Sequence, residues 1–223
     1  MQQLSISELT KNFNTKSILD SIALECCTGD VVGIFGRNGS GKSTLLKILF
    51  GTMKADRIRI RINEKPIEPE EIIPQQQIAY LPQDSFLPKS LKVRNIVPLY
   101  FPNGDMQDKI LYDPLVARMA NTKAGNLSLG EIRYFELMLI STLPHPFIML
   151  DEPFSMVEPL YREKIKEKLL SLKTTKGIIM TDHYYNDILA TATNCLLLKN
   201  GRLIPVSNVD DLSKYGYLSA SNH

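Results

Sequence analysis

A glycine-rich segment has the residue types that bind a nucleotide phosphate. Residues 36–44 read GRNGSGKST and follow the apolar run VVGIF. Glycines let the backbone wrap closely enough for successive N–H groups to surround phosphate oxygens. Lys42 adds a charge for the β- and γ-phosphates, and Ser43 offers a hydroxyl to Mg²⁺. A flexible Gly/Ser loop is the alternative, but the order of strand, loop and helix favours nucleoside triphosphate binding. The predicted site comprises Gly36, Arg37, Asn38, Gly39, Ser40, Gly41, Lys42, Ser43 and Thr44.

Two acids end a second apolar run, PFIMLDEP at residues 146–153. Ligands of an open α/β sheet bind outside the carboxyl ends of its strands. We therefore expect Asp151 to lie beside the phosphate loop and to hold Mg²⁺ through its water shell. Glu152 is expected to polarise the attacking water as a general base. Taken alone, the pair would equally fit a strand end that turns into solvent.

One histidine follows the next apolar strand. His183 ends the triplet TDH after residues 177–180. It should reach the same edge of the sheet, where an imidazole N–H can donate to a γ-phosphate. A lone histidine is more often structural, so this prediction depends on the phosphate loop. His145, between two prolines, and His223 have no comparable setting and are predicted to be surface residues.

The segment GNLSLGEIRYFEL, residues 125–137, has the pattern of a helix start. Ser128 is followed three residues later by Glu131, which is the capping-box spacing. Helix N-termini also bind anions, because their first N–H groups have no partner within the helix. The pattern leaves open whether this helix end faces solvent or a phosphate.

Strands and helices must position these residues, and they alternate along the chain. This alternation predicts an α/β fold with a mostly parallel sheet. Prolines interrupt residues 84–144, which we interpret as a small helical insertion. Strands are predicted at residues 4–9, 18–26, 30–35, 57–62, 78–81, 147–150, 177–180, 195–198 and 202–204, and helices at 42–50, 92–98, 107–119, from 128, 160–172 and 184–190.

Composition excludes several classes of protein. The net charge is 26 − 24 = +2 in 223 residues. This is too small for a basic surface that binds nucleic acid or for a polybasic membrane anchor. Three cysteines make no disulfide framework and no metal motif, so a reducing compartment is expected. The N-terminus MQQLSISELT does not resemble a signal peptide, and no apolar run approaches the roughly 20 residues that span a bilayer.

Five segments in order resemble the ATP-binding cassette (ABC) ATPases over nearly the whole chain. They are GRNGSGKS, Gln83 in YLPQ, LSLGE, IMLDE and the His183 of TDH. The resemblance implies a P-loop core at residues 1–82 and 144–223, with an N-terminal antiparallel β portion and an α-helical subdomain at 83–143. It also implies Mg²⁺-dependent hydrolysis of ATP to ADP and phosphate.

The resemblance assigns further site residues. Phe13 matches the aromatic position that stacks on adenine, and Gln83 matches the residue that contacts Mg²⁺ and the attacking water. Two such subunits pack head to tail, so Ser128, Gly130 and Glu131 should face ATP held by the other subunit's phosphate loop. The implied catalytic residues are Glu152, His183 and Gln83, and the implied metal-site residues are Ser43, Gln83 and Asp151.

Two positions depart from the family pattern. Leu129 replaces a usual glycine, and its side chain is incompatible with any positive-φ backbone that glycine would adopt. Glu158 stands where aspartate is common, while Glu131 for glutamine is a mild variation. None of these changes removes a phosphate ligand or the catalytic carboxylate. We therefore expect hydrolysis to survive, with weaker closure of the dimer.

The leading hypothesis is the ATPase subunit of an ABC transporter. It would form a homodimer, or a heterodimer with another ABC ATPase, and lie in the cytoplasm on the inner face of the cell membrane through a separate membrane-spanning subunit. The exposed-looking Leu87, Leu99, Tyr100 and Phe101 would contact that partner, or else form the insertion's own core. One alternative is a soluble ABC-type ATPase acting on nucleic acid or protein complexes. The other is a cassette that binds ATP but barely hydrolyses it and serves as a regulatory clamp. Near-neutral charge argues against nucleic acid, and the sequence specifies neither the transported substrate nor its direction.

Overall fold

A computed structural model describes residues 1–218 of the chain. These residues contain ten strands: β1 (Gln3–Phe13), β2 (Lys16–Cys27), β3 (Val31–Phe35), β4 (Arg57–Ile62), β5 (Lys65–Ile67), β6 (Ile78–Leu81), β7 (Phe147–Asp151), β8 (Gly177–Thr181), β9 (Asn194–Lys199) and β10 (Arg202–Val206). Eight α-helices accompany them: α1 (Lys42–Leu49), α2 (Val93–Tyr100), α3 (Gly104–Leu111), α4 (Pro114–Met119), α5 (Leu129–Thr142), α6 (Pro159–Leu172), α7 (Tyr185–Thr191) and α8 (Val209–Lys214).

The strands form two sheets. An antiparallel sheet has the order β2-β1-β4-β5, and a second sheet has the order β10-β9-β3-β8-β7-β6. In the second sheet every pair is parallel except β9 with β10. All positions of β3, β7 and β8 are buried, which is why their sequences are continuous apolar runs. The expected α/β fold with an antiparallel N-terminal portion is confirmed.

Alternate residues of the central strands supply two separate apolar cores. Phe147 and Met149 of β7 pack on one face with α1 and the antiparallel sheet. Ile148 and Leu150 face the other side, where α5 and α6 cover them. The period of two in a strand places these neighbours on opposite faces. The parallel sheet is therefore covered on both sides, and its ligands must bind at its edge.

The insertion between β6 and β7 contains α2 to α5, and its helical character is as expected. The single helix predicted at residues 107–119 is wrong, because α3 ends before Asp113 and α4 begins at Pro114. The Asp113 carboxylate accepts the backbone N–H groups of Leu115 and Val116 at 3.0 and 3.1 Å, which caps a new helix. Proline suits the first helical position and cannot continue the preceding helix. The subdomain bounds at residues 83 and 143 stay a prediction.

Apolar residues of the insertion mostly serve its own core. Leu87 and Phe101 are buried in the same core as α5, so for these two residues the alternative of the insertion's own core is the correct one. Tyr100 is half-buried against Phe86, with ring centres 6.2 Å apart. Leu99 is 66% exposed and is the most accessible of the four to a partner. Within residues 1–218, no helix has the length and apolarity that would let it cross a membrane.

Candidate functional site

The phosphate loop lies between β3 and α1, where the sequence places it. Gly39 and Gly41 have φ values of 77° and 106°, in the left-handed region that favours glycine. A Cβ on Gly41 would lie 2.8 Å from the Ile18 side chain, so this glycine also permits a close approach of β2. The loop borders a cleft of about 490 Å³ at the carboxyl end of the parallel sheet.

Lys42 is the charged centre of this loop. Its side chain is only 6% exposed, and Nζ donates a hydrogen bond to the Gly36 carbonyl at 2.8 Å. Burial lowers the pKa of Lys42, while the neighbouring carboxylates, with Glu152 the largest contributor, oppose that shift. The ammonium group is therefore pre-positioned within the loop, where a phosphate oxygen would be a stronger acceptor than a carbonyl.

Asp151 ends β7 with both carboxylate oxygens hydrogen-bonded. Tyr80 Oη of β6 donates to Oδ2 at 3.1 Å, and Thr181 Oγ1 of β8 donates to Oδ1 at 2.8 Å. Burial and the adjacent Asp151 raise the pKa of Tyr80, so its hydroxyl stays protonated and available as a donor. Sequence reasoning missed Tyr80 and Thr181, because their roles depend on strands β6 and β8 flanking β7.

The three residues expected to be catalytic converge beside the loop. Gln83 Nε2 donates to Glu152 Oε2 at 3.0 Å, and His183 Nδ1 lies 3.9 Å from the same oxygen. Ser155 Oγ lies between Glu152 and His183: it donates to Glu152 Oε2 at 3.1 Å and lies 3.3 Å from His183 Nδ1. Glu152 has a φ of 53°, an uncommon backbone for a non-glycine residue that often marks a functional site.

The cleft also includes the residue expected to stack on adenine. Phe13 lies at the end of β1, half-exposed, with Lys11 Nζ 5.0 Å from its ring centre. The cleft is lined by Phe13, Ile18, Asn38, Gly39, Ser40, Gly41, Lys42, Ser43, Thr44, Gln83, Glu152 and His183. Gly36 and Arg37 lie at the base of the loop, where Arg37 Nη2 donates to the Gly216 carbonyl at 2.8 Å.

Ser128, Gly130 and Glu131 lie outside the residues that line this cleft. Ser128 caps α5 with the expected capping box: the Glu131 N–H donates to Ser128 Oγ at 3.2 Å, and the Ser128 N–H donates to Glu131 Oε2 at 2.8 Å. A Cβ on Gly130 would lie 2.8 Å from the Tyr161 ring, so glycine lets α6 approach α5 closely. Within the described chain, the structure does not bring these three residues to the chain's own phosphate loop.

Leu129 does not strain the backbone. It is the first residue of α5 and has no positive φ, so leucine fits this helical conformation. Its side chain is 54% exposed beside Met156, which is also exposed. The substitution therefore changes the surface around the helix start and leaves its fold intact.

A buried arginine connects α5 to the ends of β6 and β7, and sequence reasoning missed it. Arg133 Nη2 donates to the Asp151 carbonyl at 2.6 Å, and Nη1 donates to the Pro82 carbonyl at 2.5 Å and to Glu136 Oε2 at 3.3 Å. Glu136 is fully buried and also accepts the Phe86 N–H at 3.1 Å. Burial raises the pKa of Glu136, and the Arg133 guanidinium opposes this shift.

Replacing Arg133 with glutamine is expected to destabilise the fold by about 3 kcal/mol, because Glu136 would lose its buried cation. Urea denaturation at neutral pH measures the change. Arg118→Gln is the control, since Arg118 is exposed on α4, and it should change stability by less than about 0.5 kcal/mol. Equal stabilities of the two variants would contradict the prediction.

The other two histidines are not part of the site. His145 is half-buried, so its predicted surface position is only partly right, and burial lowers its pKa. His223 lies outside the described residues.

Comparisons with known proteins find relatives of this chain in both sequence and fold. The family model for ABC transporters matches residues 19–155. The lipopolysaccharide export system ATP-binding protein LptB of Acidithiobacillus ferridurans is 27% identical over 93% of this chain and 92% of its own length. A nucleotide-free ATP-binding cassette from an ABC transporter has a TM-score of 0.82 at 24% identity, covering 98% of this chain and 96% of its own. MJ1267, an ATP-binding cassette of an ABC transporter, has a TM-score of 0.79 at 27% identity, covering 92% and 90%.

Proposed function

The chain belongs to the ABC transporter family, and on that premise we propose that it hydrolyses ATP, dimerises head to tail on two ATP molecules and drives a separate membrane subunit. One observation carries the proposal. Gln83, Glu152 and His183 converge on the phosphate loop of their own chain, while the N-terminus of α5 lies outside that cleft. In this proposal the chain supplies both halves of an ATP site, on different surfaces.

In the proposed hydrolysis, loop N–H groups and Lys42 bind the phosphates. Glu152 accepts a proton from the attacking water, which Gln83 helps to orient. His183 donates to the γ-phosphate as charge develops on it. Phe13 stacks on the base at the rim of the cleft.

The donor set fits Mg²⁺. Within residues 1–218 no group of three or more His, Cys, Asp or Glu side chains forms a metal cluster, and Mg²⁺ needs none, because it binds through phosphates, waters and one or two protein oxygens. Ser43, Gln83 and Asp151 would hold it, with Tyr80 and Thr181 fixing the Asp151 carboxylate. When bound, the ion would neutralise charge on the β- and γ-phosphates.

The outward end of α5 is suited to a phosphate from another subunit. Ser128 Oγ accepts a hydrogen bond from the Glu131 N–H, which leaves its hydroxyl proton free to be donated. The Gly130 N–H lies in the first turn, where helix N–H groups lack an intrahelical partner. We place a second copy or another ABC ATPase at this surface, with a membrane-spanning subunit holding the pair at the inner face of the membrane.

The direct test is phosphate release from ATP by the purified chain, with and without Mg²⁺. Release that stops when EDTA is added, and resumes with excess Mg²⁺, is the expected result. Binding of ATP without release would support the clamp alternative. Absence of ATP binding would contradict the proposal as a whole.

Leu129→Gly is expected to tighten ATP-dependent dimerisation about five-fold, or roughly 1 kcal/mol. The reason is that it removes an exposed side chain from the start of α5, where the second subunit would have to come close. Sedimentation equilibrium of the Glu152→Gln protein with and without this second change measures the dissociation constant. Leu160→Gly, at an exposed leucine on α6, is a matched control for the loss of a side chain. Equal or weaker association would mean that the partner surface is adapted to leucine.

A further inference from the structure

A cluster of charged and aromatic side chains lies beside His183 and has no part in the proposed chemistry. It joins α6 to α7 and to Tyr184, the residue that lies between His183 and α7. Its members are Arg162, Lys166, Tyr184 and Asp187.

Arg162 is held by acceptors from two different segments. Its Nη1 lies 3.4 Å from Asp187 Oδ2, and its Nη2 donates to the Val157 carbonyl at 3.1 Å. Lys166 Nζ lies 2.5 Å from the other Asp187 oxygen. Asp187 is buried, so these charges interact in a medium of lower dielectric than water. Two fixed acceptors orient the planar guanidinium group.

The oriented guanidinium lies over an aromatic ring that in turn contacts the histidine. Arg162 Cζ is 4.2 Å from the centre of the Tyr184 ring, within the range of a cation–π interaction. The Tyr184 and His183 ring centres are 4.4 Å apart, with 36° between their planes. The His183 side chain is 47% exposed, and an exposed ring changes rotamer easily unless a neighbour packs on it.

We propose that Arg162 and Tyr184 are positioning residues for His183. Arg162, anchored on Asp187 and the Val157 carbonyl, holds the Tyr184 ring, and this ring keeps the imidazole in the cleft. The inference deepens the proposed function, because it rests on a role for His183 in hydrolysis. These contacts also link the segment after β7 to the segment after β8, so a shift of Val157 would change the position of His183.

The first test is the NMR spectrum of protein with ¹³C-labelled histidine. The chain has three histidines, and His183→Ala assigns the relevant signal. The Tyr184 ring current should shift the NMR signals of the His183 ring protons. Tyr184→Leu should therefore move these signals, and Tyr184→Phe should leave them nearly unchanged. Arg162→Gln, which acts on the histidine through the Tyr184 ring, should also move them. Lys164→Gln on the same helix is the charge-matched control and should not.

Kinetics supply the second test. Arg162→Gln and Tyr184→Leu should each lower kcat about ten-fold, as expected for a misplaced catalytic group, with the KM for ATP changed less than about two-fold. In a His183→Ala background neither change should lower kcat further. Tyr184→Phe should keep most of the kcat that Tyr184→Leu loses.

Two results would overturn the inference. One is an unmoved His183 signal in both Arg162→Gln and Tyr184→Leu, with the His145 signals showing an intact fold. The other is a loss of kcat of the same size with and without His183. If the unmodified protein hydrolyses no ATP, the proposed function fails, while the NMR result still decides whether Arg162 and Tyr184 hold the ring.

Discussion

Lys42→Ala is expected to weaken ATP binding about 1,000-fold, or roughly 4 kcal/mol, because it removes a charge-assisted contact to the phosphates from a buried site. Lys42 is almost fully enclosed, and Nζ is oriented by the Gly36 carbonyl before any phosphate binds. Little conformational entropy is lost on binding, so most of the interaction contributes to affinity. Isothermal titration calorimetry with ATP in the presence of Mg²⁺ measures the change.

The controls for Lys42 separate charge from packing. Lys42→Met keeps the aliphatic stem and should lose nearly as much affinity as alanine, since charge is the decisive property. Lys47→Ala removes an exposed lysine from the same helix and should bind ATP like the unmodified protein. Near-normal binding by Lys42→Met would contradict the assignment of this loop to phosphate.

Glu152→Gln is expected to lower ATP hydrolysis about 1,000-fold while ATP still binds, because the amide keeps the shape of the carboxylate but cannot accept the proton. Gln83 Nε2 and Ser155 Oγ both donate to Glu152 Oε2, and the amide oxygen of glutamine can accept the same bonds. Blocked hydrolysis should let the ATP-bound dimer accumulate. Size exclusion with light scattering should then show a mass of twice 25.2 kDa with Mg²⁺ and ATP.

Glu167→Gln is the control for this variant. Glu167 is an exposed acid on α6, and its replacement should leave both the rate and the mass unchanged. A Glu152→Gln protein that hydrolyses ATP at the normal rate would exclude Glu152 as the general base. A protein that binds ATP but stays a monomer would contradict a homodimer and favour a different cassette, or the membrane subunit, as the missing half.

The features predicted correctly from sequence depend on neighbours in the chain. The strand, loop and helix around Lys42 follow from an apolar run, closely spaced glycines and a helical pattern. The Ser128 capping box follows from a spacing of three residues. The helix start at Pro114 also has a local signal, because aspartate before proline is common at helix N-termini. The prediction of a single helix at 107–119 is wrong because it does not take this signal into account.

Other features required the order of the strands and the packing of the insertion. Tyr80 and Asp151 are 71 residues apart, and they meet because β6 pairs with β7. Leu87 and Phe101 have sequence surroundings typical of a surface loop, but they are buried in the core around α5. Their burial depends on how several short helices pack together, which no local periodicity specifies.

The sequence by itself therefore determined the chemistry expected at the cleft and the kind of fold that carries it, because glycine-loop, capping and strand patterns are encoded over a few residues. Tertiary structure decided which side chains support that chemistry. The contacts of Arg133 with Asp151 and of Arg162 with Tyr184 join separate elements, and they exist only once two helices pack against the ends of parallel strands. The physical reason is that capping, turn and strand-period patterns depend on residues a few positions apart, whereas contacts between separate elements depend on the packing of the whole core.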